Sequence, residues 1–216
     1  QVDFLQAEAH REEAAARDAV VNFSKAQELY LRVQTEYPRS QRLAESHYGL
    51  GHVHRGLGDL SAASTAFAQV SQSYPDAPVA PYALNWQARL AFGAGDLDGA
   101  EGLYLQLIET YPDAGLSDQA WKDLGLIYKN SGKLKEAIAA FGRVGPKSPM
   151  WGKVQAEAGD MLLAAGRSAE IDRLFDVSGA IDQAKNRRDQ ETLAELYYIQ
   201  GRIARESGDF KAETEA

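Results

Sequence analysis

Four histidines, His10, His47, His52 and His54, are the first side chains to test for chemistry. His52 and His54 stand two apart, so on a helix they point to different faces and cannot share a metal ion as an i, i+4 pair could. Cysteine is absent, which removes thiolate catalysis, disulfides and Cys-based zinc sites. The run Gly-Ala-Gly-Asp-Leu-Asp-Gly at 93–99 is glycine-rich. It follows a helical pattern and not a strand, so the context of a phosphate cradle is missing. Asp96-x-Asp98-Gly99 lacks the remaining ligand spacing of a calcium loop. There is no Gly-x-Ser-x-Gly, and no spacing isolates a nucleophile, a base and an orienting group. The chain is therefore expected to be no enzyme, with no cofactor and no metal, and the run at 93–99 is expected to be a turn between helices.

The elements around these residues repeat. Tyr37-Pro38, Tyr74-Pro75 and Tyr111-Pro112 recur every 37 residues, and so do Gly58-Asp59, Gly95-Asp96 and Gly132-Lys133. A fixed period of this size marks a solenoid of identical supersecondary units, each too small to bury its apolar face alone. One unit illustrates the logic. Ala80–Gly93 reads as a helix, with Leu84, Ala88, Ala91 and Phe92 near helical spacing. Glycine closes it, because glycine tolerates the left-handed conformation of a helix end. Asp96 is placed to accept from the free amides of the next helix, 97–111, whose inward residues are Ala100, Leu103, Tyr104 and Leu107. Pro112 stops it, having no amide to continue the ladder.

Composition agrees with a helical, folded protein. The 216 residues are 44% hydrophobic and 25% charged, and strong helix formers dominate. A net charge of −8 argues against nucleic acid as a partner. No apolar run approaches the ~20 residues of a membrane helix, and no signal peptide is visible. The chain opens at Gln1 without Met and stops inside a repeat. It is expected to be a piece of a longer protein.

The fourth unit carries the sharpest pattern: Trp121-x-x-Leu124-Gly125-x-x-Tyr128, then Ala137 and Phe141. It resembles the tetratricopeptide repeat (TPR) consensus W-x2-L-G-x2-Y…A-x3-F…P. Leu50, Gly51, Ala63, Phe67 and Pro75 take equivalent places in the second unit, and Leu84, Ala88, Ala100, Tyr104 and Pro112 in the third. Ala14, Ala26, Tyr30 and Pro38 do so in the first. Gly159, Gly166 and Phe175 mark a fifth, and Tyr197, Gly201 and Gly208-Asp209 a sixth. The resemblance implies an all-α, right-handed superhelical solenoid of antiparallel helix pairs, about five and a half repeats in one domain over 1–216. The repeats run approximately 4–38, 42–75, 79–112, 116–149, 152–176 and 191–216, the last incomplete. Gly145-Pro146-Lys147-Ser148-Pro149 replaces the usual ending of the fourth, and 176–191 is expected to lengthen the second helix of the fifth with a solvated face, a local bend in the superhelix being the alternative. His47 and His54 fall at packing positions and are expected to be half-buried spacers.

The 37-residue period is three longer than the common one, and the surplus lies after the second helix. In this it resembles bacterial cell-envelope TPR proteins, of the TolA-binding Tol-Pal type and the outer-membrane assembly lipoprotein type. That resemblance implies an adaptor in envelope assembly or transport, periplasmic or envelope-associated, with the cytoplasm as the alternative setting. It also implies that the first helix of each unit lines a concave groove for a partner protein or peptide. By helical spacing the lining residues are Glu45, Tyr48, His52 and Arg55; then Tyr82, Asn85, Arg89 and Phe92; then Gln119, Lys122, Leu126 and Lys129; and Tyr198, Arg202 and Arg205. This face is basic and aromatic although the chain is acidic. It suits an acidic segment or a C-terminal carboxylate. A self-assembling homo-oligomer, built on the apolar face around Leu196, Ile203 and Phe210, is the rival reading, and a regulatory region of a larger enzyme or sensor is a third.

Overall fold

The computed structural model describes residues 20–207. His10, Ala14, Gly208-Asp209 and Phe210, all named in the sequence reading, lie outside that range. Among the described residues every regular element is a helix, and the chain divides between Leu103 and Tyr104 into two compact units.

The first unit opens with helical residues 20–36 (α1), followed by α2 (Leu43–Gly56), α3 (Leu60–Ser73), α4 (Ala80–Gly93) and the start of α5 (Leu97–Thr110). Punctuation follows the sequence closely. Gly58 and Gly95 both sit at φ +81°, which reverses the chain where a side chain would be strained. The Asp59 carboxylate accepts from the Ala62 amide at 2.9 Å, and Asp96 accepts from Gly99 at 3.0 Å. Each satisfies an amide that the first turn leaves without an intrahelical partner. Pro81 stands in the first turn of α4, where its missing N–H is no loss.

Helices in this unit cross where glycine meets a ring. A methyl group at Gly51 would collide with the Phe67 ring, and one at Gly49 with Tyr30. Phe67 is fully buried, an exclusion from water that contributes about 1.5–3 kcal/mol. Ser46 Oγ donates to the Tyr30 carbonyl at 2.8 Å and so locks α1 to α2. His47 is half-buried, with the Gln34 amide 3.2 Å from its Nδ1 and its ring stacked on Tyr74.

The second unit holds α6 (Ser117–Asn130), α7 (Leu134–Phe141), α8 (Trp151–Ala164), a short 3-10 turn (Ser168–Glu170), α9 (Ile171–Leu174), α10 (Val177–Arg187) and α11 (Gln190–Ser207). The pair α6 and α7 repeats the glycine–ring crossing, with Phe141 over Gly125. α8 packs against both α10 and α11, and a methyl at Gly159 would press on Ile199 at 3.0 Å.

The fifth repeat differs from expectation. Its second helix is not lengthened. It is broken into the 3-10 turn and α9, and a separate helix, α10, follows. Phe175 is extended (φ −138°, ψ 144°), which ends α9. Asp176 then starts α10 by accepting from the Gly179 amide at 2.9 Å, while its own amide donates to Gln155 of α8 at 2.9 Å. Val177, Ala180, Ile181 and Ala184 are buried, so the inserted helix packs an apolar face and not a solvated one. Gln183 of α10 also ties down the proline-rich link, donating to the Pro146 carbonyl at 2.7 Å.

Candidate partner-binding face

On α2, Tyr48, His52 and Arg55 follow at spacings of four and three, so they share one helix face. Tyr82, Asn85, Arg89 and Phe92 do the same on α4. The structure brings most of these residues together around one side chain that the spacing argument did not select, Trp86. The Arg55 guanidinium lies 4.4 Å from the centre of the Trp86 ring, and the Arg89 guanidinium 4.6 Å from it. His52 meets Trp86 edge-on at 5.3 Å and Tyr48 edge-on at 4.6 Å. Phe67 runs nearly parallel to the indole, at 6.2 Å and 14°. The cluster therefore continues the glycine–ring crossing of α2 and α3 out to the surface.

Electrostatically the face is a pair of uncompensated cations. Among the described residues neither Arg55 nor Arg89 has a carboxylate within ion-pair distance or a hydrogen-bond acceptor. Both are exposed. An indole face attracts a guanidinium through its quadrupole and leaves the N–H groups at the edge unspent. Burial, and after it the Arg55 charge, holds His52 below the usual histidine range, so the ring is neutral at neutral pH. Burial raises the Tyr48 phenol against the opposing Trp86 N–H and Arg55 charge. Tyr82 is 43% exposed. Phe92 is half-buried at the C-terminal end of α4. Asn85 is buried, and among the described residues its Oδ1 has no hydrogen-bond partner.

Lys122 and Lys129 belong to the second unit and are already engaged there. Lys122 Nζ lies 3.0 Å from Asp123 Oδ1. Lys129 Nζ lies 2.9 Å from Glu157 and 3.9 Å from Asp160. Asp123 is buried and also accepts from Gln119 at 2.7 Å and from the Tyr104 hydroxyl at 2.9 Å. Further along, Arg202 donates to the Tyr198 hydroxyl at 3.1 Å and pairs with Glu206 at 2.8 Å. Arg205 is exposed.

Part of this contrast, the arginines against Lys122, lies in Trp86 and Asp123, which share one register of the 37-residue repeat, with Gly49 in the preceding one. That register lies beside the face positions. A signal was present, since a tryptophan, a glycine and an aspartate alternate at a place where the packing positions barely vary.

Comparison with known proteins agrees with the repeat reading. Tetratricopeptide repeat family models match residues 48–115 and 118–144. No curated protein matches. Among solved structures, MamA is 17% identical with a TM-score of 0.63, over 77% of this chain and 91% of that one. BtubC from P. vanneervenii is 18% identical with a TM-score of 0.62, over 91% and 85%. The Rap conjugation gene regulator of plasmid pLS20, in complex with the Phr* peptide, is 17% identical with a TM-score of 0.55, over 86% and 54%. Proteins with this fold are typically protein–protein interaction scaffolds without catalytic activity. The two matched segments are tetratricopeptide repeats, and the helices pair as they do in tetratricopeptide repeat proteins.

Proposed function

We propose that the chain is a non-enzymatic adaptor that holds an acidic segment or a C-terminal carboxylate of a partner protein against the α2–α4 face of its first unit. The observation that carries this reading is the pair Arg55 and Arg89, both exposed and, among the described residues, both without an anionic partner. In an acidic chain, two neighbouring arginines left unneutralised are complementary to an incoming oxyanion, which each can meet through paired N–H donors. Tyr48 and Tyr82 add apolar contact area at small entropic cost. A protein of similar fold has been solved holding a peptide, which supports a peptide as the ligand class. The 37-residue period with Tyr-Pro endings supports a bacterial envelope assembly or transport complex as the setting, with the adaptor in the periplasm.

The test has two parts. A fluorescein-labelled pentaglutamate peptide with a free C-terminal carboxylate is titrated with the chain and with Arg55→Glu/Arg89→Glu, reading anisotropy. A crosslinked pull-down from bacterial envelope extract with the same two baits then names the partner. Binding and capture by the native chain that the double variant loses are the expected result. Equal behaviour of both baits returns the face to ordinary solvated surface, and a mass that climbs with concentration in light scattering moves the function to self-assembly.

A further inference from the structure

We infer that Trp86 is the positioning residue of this face: its ring orders both Arg55 and Arg89, at 4.4 and 4.6 Å from its centre, and leaves their donors unspent for the ligand's oxyanion. The inference rests on the acidic-ligand reading above and adds what makes two long, mobile side chains into one site.

An unpaired arginine on a helix surface samples many rotamers, and ordering it costs up to about 2 kcal/mol of side-chain entropy at the moment of binding. A site that orders its arginines beforehand removes part of that cost. A carboxylate neighbour would order them too, but it would consume the donors and cancel the charge, as Asp123 does for Lys122 at 3.0 Å. An aromatic face orders a guanidinium without doing either. Trp86 is itself fixed. His52 abuts it at 5.3 Å, Phe67 lies along it at 6.2 Å, and Phe67 is locked over Gly51. The rigidity of the α2–α3 crossing is thus carried to the two cations, one from α2 and one from α4, at 4.4 and 4.6 Å from one ring.

The experiment compares Trp86→Leu, Trp86→Met and Trp86→Phe with the native chain. Circular dichroism melts establish that each is folded, and the methionine variant serves if leucine alone destabilises the unit. The first readout needs no ligand: the Arg55 and Arg89 Nε–H resonances, which the indole ring current is expected to shift upfield in the native chain. They are expected to keep part of that shift in Trp86→Phe and to move to free-arginine positions in the two aliphatic variants. The second is affinity for the pentaglutamate probe, expected to fall about fivefold or more in the aliphatic variants and to be largely restored by phenylalanine. The salt dependence of binding stays unchanged throughout, because both charges remain. Aliphatic variants that bind as tightly as the native chain, or a phenylalanine variant as weak as they are, overturn the positioning role while leaving the acidic-ligand reading in place. A native chain that does not bind the probe overturns both.

Discussion

Both units carry cations on the face that helical spacing selects, Arg55 and Lys129 at the same position of the repeat, and treat them in opposite ways. In the first, Arg55 and Arg89 rest on an indole and keep their hydrogen-bond donors. In the second, Lys122 and Lys129 sit on Asp123 and Glu157 at 3.0 and 2.9 Å. The switch lies in part in one register, which is tryptophan at 86 and aspartate at 123. The lesson is that positive charge in a list of surface residues is not positive charge on offer. What touches the cation decides whether it can still bind anything.

The largest expected effect breaks or confirms that contrast directly. Reversing both arginines, Arg55→Glu with Arg89→Glu, should cost at least about 2 kcal/mol of probe binding, the scale of a hot spot. Lys122→Glu with Lys129→Glu should leave probe affinity nearly unchanged, because those ammonium groups are already neutralised. Anisotropy titration reads both. Equal losses would mean that the second unit's lysines are as available as the first unit's arginines, and the comparison would fall.

Next in size are the crossings, where the units should behave alike. Gly51→Leu must displace Phe67, and Gly125→Leu must displace Phe141. Each is expected to cost about 1–3 kcal/mol, as overpacking of a filled core does, seen as a lowered melting temperature. Gly51→Leu should also weaken probe binding, because Phe67 lies along Trp86. Gly125→Leu should not. An unchanged melting temperature for either would put the repeat register in error.

Smaller again is Asp123→Ala. It removes one buried acceptor from Gln119, Lys122 and the Tyr104 hydroxyl together, a loss of about 1–3 kcal/mol for leaving buried donors less well satisfied. It also releases Lys122. Probe affinity at the second unit should appear where there was little, and chemical-shift mapping around α6 would detect it. A release without any new binding would mean that the indole, and not merely the missing carboxylate, is needed to make a site.

Most of the fold could be read in the sequence, because what specifies it is local and repeated. Gly58 and Gly95 adopt the positive φ that their turns require, and Asp59 and Asp96 cap the helices that follow. Gly51 and Gly125 mark crossings sixteen residues before their rings, Phe67 and Phe141. The separate α10 is harder to read, because the polar run 185–191 suggests a solvated extension of the preceding helix, although Asp176 supplies the cap that starts a new one. Of the face, Tyr48, His52, Arg55, Tyr82 and Arg89 could be placed from helical spacing alone. Their partners could not. Glu157 reaches Lys129 from a different helix, 28 residues on, and Trp86 is joined to Arg55 only by the fold. Pairing across helices leaves no periodic trace, and that pairing divides available charge from spent charge.

The smallest expected effect concerns pH, and it tests whether His52 belongs to the first unit's site. Burial, then Arg55, depresses its pKa below the ordinary 6.5; burial likewise depresses His47. The unfolded chain therefore binds protons at these rings more readily than the folded one. Stability is fully present above the unfolded value near 6.5 and is lost as pH falls through the window below it. Ligand binding should run the other way. The groups facing His52 are Arg55 on its own helix, Tyr48, and the rings of Phe67 and Trp86, so Arg55 is the charge that opposes its protonation. An oxyanion placed on Arg55 offsets that opposition and raises the histidine's pKa. Probe affinity should then rise modestly, below about tenfold, between pH 7.5 and pH 5.5, a range in which the probe's side-chain carboxylates stay mostly ionised. His52→Asn should abolish the rise, whatever it does to affinity at pH 7.5, while His47→Asn should leave it intact, because His47 stacks on Tyr74 and not on the Trp86 cluster. A rise that survives in His52→Asn would place the proton elsewhere and detach His52 from the site.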